Sequence, residues 1–154
     1  MFEARAGFFI VEPEAAGAPA AGATADAVSC VFDAWLGDEL VRAHPFLLAT
    51  TSVGRALLNL PDASGFRVAR ARVRASAFFR QQNPGRRLPP FWALAVDGEP
   101  GRDDMGLTPD GALVVSRRVL DALLEFSVGR AVFAQYTRAR GRPRAREEPG
   151  GRRV

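Results

Sequence analysis

Short apolar runs separated by glycine, proline and polar residues recur along most of the chain. An apolar run bounded by turn residues is typical of a buried strand, and strict alternation of apolar and polar residues is typical of a strand with one solvent face. The second pattern occurs imperfectly in residues 66–74, where apolar side chains are interleaved with four arginines. These patterns predict strands at residues 7–11, 28–32, 46–50, 66–74, 91–96 and 131–136.

Helical spacing of apolar residues first occurs after residue 50. Thr50 or Thr51 can cap a helix there, because a side-chain oxygen at this position accepts a hydrogen bond from an exposed backbone N–H. The helix is predicted to end before Pro61. A shorter helix with a serine cap is predicted at residues 76–82. Earlier in the chain, one or two helical turns are predicted at residues 38–43, before Pro45.

The strand and its capped helix are repeated once in the sequence. Eight apolar or hydroxyl residues from Leu48 to Leu60 align without gaps, at an offset of 66, with eight from Val114 to Phe126, and four of these pairs are identical. A hydroxyl residue lies between strand and helix in both copies, and each copy then passes a glycine into another strand. We therefore predict a duplicated unit of strand, capped helix and strand.

The predicted strands and helices together indicate a mixed α/β fold, with helices packed against a mixed β-sheet in a single domain. We expect the domain to span residues 1–136, because 154 residues leave no room for a second one of ordinary size. Within it, the Ala-, Gly- and Pro-rich residues 15–25 are expected to form a flexible loop, and residues 99–111 a long polar loop. Residues 137–154 are expected to be a disordered, arginine-rich tail.

Basic charge is concentrated in that tail. Residues 137–154 contain seven arginines and two acids, whereas residues 1–136 contain fourteen arginines and fifteen acids. The net charge of +4 is therefore a property of the tail, and non-specific nucleic-acid binding is expected only there. All 21 basic residues are arginines, which a GC-rich coding sequence explains more simply than phosphate binding does.

Few residues offer catalytic or metal-binding chemistry. The only cysteine, Cys30, lies in an apolar run and is expected to be a buried thiol, and the only histidine, His44, is expected to be a loop residue. One of each excludes an intrachain disulfide and the usual structural zinc sets. Neither glycine-rich phosphate-loop pattern occurs. The chain is therefore not expected to be an enzyme or to bind a cofactor or metal.

The sequence also predicts where the protein acts. It contains no run of about 18 uncharged apolar residues, and Glu3 precedes the first hydrophobic run. Neither a membrane span nor a secretory signal is expected, and we predict a cytoplasmic protein.

Two acidic segments are candidates for partner binding. In residues 32–40, Trp35 stands among Asp33, Asp38 and Glu39, and an aromatic side chain among carboxylates suits a protein interface. The alternative is that Phe32, Trp35 and Leu36 face the core and Asp38 caps the following helix. These interpretations are compatible, since Asp33 and Asp38 could still lie at the rim of an interface.

The second acidic segment is the pair Asp103 and Asp104 in the long polar loop. Paired carboxylates can bind a metal or act as general acid and base, but nothing nearby supplies further ligands. The alternative is a solvated pair or a local cap of the loop backbone.

Several phrases together resemble a group of immunity proteins encoded beside polymorphic or contact-delivered bacterial toxins. The resemblance spans residues 8–136 in order and is carried by these phrases: FFIVEPE, FDAWLGDEL, FLLATT, LPPFWALAVDG, GRDDMGL and ALVVSRRVLDALLEF. It implies a non-enzymatic α/β protein that binds one cognate toxin and blocks it.

On this resemblance Trp35 is expected to be an interface anchor. The five acids would pair with basic groups around the active site of the toxin: Asp33, Asp38, Glu39, Asp103 and Asp104. The alternatives are a structural or regulatory protein-binding module, an enzyme, or a nucleic-acid binder acting through the tail.

Overall fold

The computed structural model describes residues 7–137, so the predicted arginine-rich tail lies outside the described part except for Thr137. The strands are β1 (Phe8–Glu12), β2 (Glu14–Ala15), β3 (Gly17–Pro19), β4 (Val28–Phe32), β5 (Leu40–Ala43), β6 (Phe46–Thr50), β7 (Phe66–Ala75), β8 (Phe91–Val96), β9 (Met105–Leu107), β10 (Leu113–Ser116) and β11 (Val132–Tyr136). The helices are α1 (Thr51–Leu58), α2 (Ala77–Gln82) and α3 (Arg117–Leu123). The predicted mixed fold of strands and packed helices is confirmed.

Seven strands form one curled sheet in the order β2-β5-β6-β8-β7-β4-β3. The two edge strands are consecutive in the chain, because only Ala16 separates β2 from β3. The N–H of Ala16 donates to the Arg42 carbonyl at one side, and its own carbonyl accepts from Asp33 and Ala34 at the other. This residue therefore closes the sheet into a near-barrel.

The inside of the near-barrel holds the first of two cores, which we call the inner core. Its large side chains come from three strands, one helix and the loop before β5, and include Phe32, Trp35, Leu48, Phe79 and Phe91. Cys30 is buried among them, as predicted, and the burial raises the pKa of its thiol.

The second core, the outer core, lies between the curled sheet and a four-stranded antiparallel sheet of order β11-β1-β10-β9. Helices α1 and α3 both contribute to it. Val53 and Leu57 of α1 and Val119 and Leu123 of α3 are fully buried there. Burial of a side chain of this size stabilises the fold by about 1.5–3 kcal/mol.

The structure confirms the duplicated unit and extends it. Thr50 and Ser116 are the N-caps of α1 and α3, and their side-chain oxygens accept from the N–H of Val53 and Val119. The strand order β5-β6-β8-β7 in the curled sheet matches β9-β10-β1-β11 in the small sheet, with antiparallel neighbours throughout. The second unit takes its central strand from the start of the chain, whereas the first takes β8, which follows β7.

Three sequence predictions differ from the structure. Residues 38–43, predicted as helical turns, contain strand β5, because Leu40, Val41 and Ala43 are buried in two cores by pairing with β6. The segment 15–25 contains β3 and the end of β2, and the loop 99–111 contains β9. Each of these two strands contains a glycine, which lets a neighbouring backbone approach closely. Gly106, for example, packs against the backbone of Pro100.

Within residues 7–137, no helix is long and apolar enough to cross a membrane.

Candidate functional site

Trp35, predicted as an interface anchor, lies in the inner core with 8% of its surface exposed. Its indole Nε1–H donates to the Asp38 carbonyl at 2.8 Å, and its ring meets Phe91 edge-on at 6.0 Å between centroids. The Arg86 guanidinium lies 4.8 Å from its ring centre. The structure therefore places Trp35 among core side chains and not on an open surface, as the alternative interpretation predicts for Phe32 and Trp35. Leu36, which that interpretation also assigns to the core, is 56% exposed.

Asp38 and Glu39 are used inside the protein. Asp38 is 5% exposed, and its Oδ2 accepts from the backbone N–H of Arg130 at 2.8 Å. It does not cap a helix, because no helix follows it. Glu39 accepts from the Thr50 hydroxyl through Oε1 and from the Ser127 N–H through Oε2, at 3.1 and 3.0 Å. The two acids fasten the segment after α3 to the curled sheet.

A third acid, Glu14, completes this network and was not singled out in the sequence. Its buried carboxylate accepts from the backbone N–H groups of Leu36 and Asp38. Burial raises the pKa of Glu14, although both hydrogen bonds act in the opposite direction. No sequence signal marks this residue, because its partners lie more than twenty positions away.

Asp104 is the centre of a second polar network. Its Oδ1 accepts from the Ser116 hydroxyl at 2.7 Å and from Arg118 Nε at 2.9 Å, and its Oδ2 accepts from the Ser64 N–H and Arg118 Nη2. The hydrogen bond from Arg118 is the main cause that lowers the pKa of Asp104 to about 2. This carboxylate is therefore ionised and fully engaged at neutral pH.

Asp103 does not share a site with Asp104. Its Oδ2 accepts from the Glu99 N–H at 2.7 Å, which is the local loop cap that the alternative interpretation predicts. Across residues 7–137, no group of three or more His, Cys, Asp or Glu side chains is arranged to hold a metal ion. Of the predicted partner-binding residues, Asp33 is the one that is exposed.

A row of exposed positive charge lies on the outer face of β7. Ala71, Val73 and Ala75 pack on the inner core, so the alternating Arg70, Arg72 and Arg74 point to the opposite side. All three arginines are exposed, and no carboxylate in the described part of the chain lies within salt-bridge distance of them. We call these three residues the arginine face.

A cavity of about 790 Å³ opens at one end of the arginine face. Arg70 and Arg72 line it from β7, Trp92 lines it from β8, and Thr51 lines it at the start of α1. The turn before β4 forms another wall, which is lined by Ala21, Gly22, Ala23, Asp26 and Ala27. We call this space the loop cavity.

Small side chains in the wall keep the loop cavity open. Residues 21–27 contain no side chain larger than threonine or aspartate. The wall is held by backbone hydrogen bonds, from Ala20 to the Ser29 carbonyl at 2.7 Å and in both directions between Thr24 and Ala27. The predicted Ala- and Gly-rich loop is therefore a folded turn beside the cavity.

The alternating arginines could be recognised in the sequence. Whether each of them has a carboxylate partner could not be predicted from it. Trp92 was visible only as part of an apolar strand. Its position follows from the sheet register, which places it opposite Arg70 on β7, and its Nε1–H donates to the Thr51 hydroxyl at 3.0 Å.

Comparison of the chain with protein-family models, with curated proteins and with solved structures gives no match.

Proposed function

We propose that this protein is a non-catalytic, cytoplasmic binding module that neutralises a bacterial toxin by docking on it through the arginine face. The observation that carries the proposal is the set of three exposed arginines on β7, which have no carboxylate of residues 7–137 within salt-bridge distance. An unpaired charge cluster at a protein surface steers an oppositely charged partner and gives the interface its specificity.

The charge of the proposed interface differs from the sequence expectation. Trp35, Asp38, Glu39 and Asp104 are engaged inside the protein, so they are poorly placed to pair with a basic partner. The arginine face calls for an acidic partner surface. Alternate side chains on one strand are about 6.6 Å apart, so an extended partner segment with carboxylates at every second residue would match the three arginines.

Arginine also suits this role chemically. Its planar guanidinium binds a carboxylate through two parallel hydrogen bonds, and its charge persists at every physiological pH. Because the face is carried by a strand inside a sheet, the three side chains start from a rigid base, which reduces the entropy lost on docking.

The test is co-expression with the product of the adjacent gene. The wild-type chain is expected to protect cells from that product, and the variant Arg72→Glu/Arg74→Glu is expected to lose protection and to bind at least about tenfold more weakly. A matched control is Arg55→Glu/Arg87→Glu, which makes the same charge change at exposed positions outside β7.

Two outcomes would contradict the proposal. Protection that survives charge reversal of the arginine face, with normal folding by circular dichroism, would exclude this surface. An adjacent gene whose product does not harm cells would oppose the immunity role and favour a regulatory protein-binding module.

A further inference from the structure

We propose that the loop cavity binds a small anionic ligand with a planar ring, of the size and chemistry of a mononucleotide. This inference does not rest on the proposed toxin partner, because it concerns the cavity and not the whole arginine face. Its volume of about 790 Å³ is within the range of small-molecule sites.

The positive side of the loop cavity suits the anionic group. Arg70 and Arg72 line it with no carboxylate of the described residues in salt-bridge distance. Helix α1 begins at Thr51, which also lines the cavity, and its first turn contains no acidic residue. The partial positive charge of that helix start therefore adds to the two guanidinium groups, and a phosphate is the anion that such donors bind best.

The apolar side of the loop cavity suits the ring. Trp92 is half-buried, and its hydrogen bond to the Thr51 hydroxyl fixes the orientation of the indole. Phe91 and Pro90 line the cavity beside it. A fixed indole next to two cations offers a stacking surface within reach of an anion site, which is the combination that nucleotide-binding surfaces use.

The loop wall supplies groups for the remaining polar atoms. Asp26 and Ser29 line the cavity and can accept hydrogen bonds from ribose hydroxyls or an exocyclic amine. Asp26 is the one acidic residue among the described lining residues, whereas Arg70 and Arg72 carry two positive charges. The lining therefore keeps a net positive charge.

The test is isothermal titration of the full chain with AMP, inorganic phosphate and adenosine as probes, at about 150 mM salt to screen non-specific contacts. AMP is expected to bind at least about tenfold more tightly than either fragment, because only AMP engages the arginines and the indole together.

Variants locate the site. Arg72→Ala is expected to weaken AMP binding at least about tenfold, whereas Arg74→Ala, on the same face but outside the cavity lining, is expected to change it less than about twofold. Ala27→Phe fills the cavity from an exposed wall position and is expected to abolish binding. All variants keep the arginine-rich C-terminal segment, so binding by that segment would be equal in all of them.

Three results would overturn the inference. The first is that AMP shows no saturable binding up to about 10 mM. The second is that AMP and phosphate bind with equal affinity, and the third is that Arg72→Ala and Arg74→Ala change the affinity for AMP equally. None of these results concerns toxin protection, so failure here is distinguishable from failure of the proposed function.

Discussion

Asp104 and Arg118 form a two-point ion pair, with Nε and Nη2 of the arginine each 2.9 Å from a different carboxylate oxygen. The same carboxylate accepts from the hydroxyl of Ser116, whose oxygen in turn accepts from the Val119 N–H at the start of α3. One acid from the long polar loop therefore orients the cap of the second repeated helix.

We expect Asp104→Asn to destabilise the protein by about 1.5–3 kcal/mol at pH 7, since charge-assisted hydrogen bonds are lost from a mostly buried group. Urea unfolding measures this. Asp121→Asn is the control, because Asp121 makes an exposed pair with Arg117 and its loss should cost less than about 0.5 kcal/mol. Equal effects of the two substitutions would show that the Asp104 network contributes little.

The pKa of Asp104 also predicts a pH dependence. The folded pKa of about 2 is below the ordinary value of 3.8, so the stabilisation is complete above about pH 5 and is lost as the pH falls from 4 to 2. The difference in unfolding free energy between wild type and Asp104→Asn should therefore shrink over that interval. A difference that stays constant down to pH 2 would contradict the ion-pair explanation.

Trp35→Ala is expected to destabilise the protein by about 3–5 kcal/mol, because it removes a large side chain from the inner core and leaves a cavity. Thermal unfolding measures the loss. Leu36→Ala, at a neighbouring residue that is 56% exposed, should change stability by less than about 0.5 kcal/mol. A Trp35→Ala protein of normal stability that no longer binds its partner would instead restore Trp35 as an interface anchor.

Adjacent leucines at the C-terminal ends of the two repeated helices test the outer core. Leu57→Asp and Leu123→Asp place a charge at fully buried positions and are expected to cost more than about 4 kcal/mol, which should unfold the protein. Leu58→Asp and Leu124→Asp, at equivalent positions that are 60% and 55% exposed, should leave the far-ultraviolet circular dichroism unchanged. Similar spectra for all four variants would exclude a shared core around both helices.

Gly17 tests the closure of the near-barrel. A Cβ added there would overlap the carbonyl oxygen of Val31 on the paired strand, so Gly17→Ala should destabilise the protein by about 1–3 kcal/mol. Ala18→Ser, at an exposed neighbouring position, should be nearly neutral. Urea midpoints compare the two variants, and an unchanged midpoint for Gly17→Ala would mean that residues 17–19 do not need to pair with β4.

The amino-acid pattern was enough to locate most strands, both repeated helices and their caps Thr50 and Ser116. These features depend on contacts between residues a few positions apart, such as the bond from a cap oxygen to the third following N–H. The relation between the two copies was also visible, because it needs only aligned residues.

Long-range pairing settled the rest. Residues 40–43 became a strand because a neighbouring strand offered hydrogen bonds and two cores offered burial, which outweighed a weak helical preference. Glu14 and Asp104 became internal because their donors come from distant segments. The loop cavity exists only where β7, β8 and the turn before β4 meet. The spacing of residues within one segment does not show which other segment will lie beside it in the fold. It therefore cannot show which backbone N–H groups or cations will lie within hydrogen-bond distance of a given side chain.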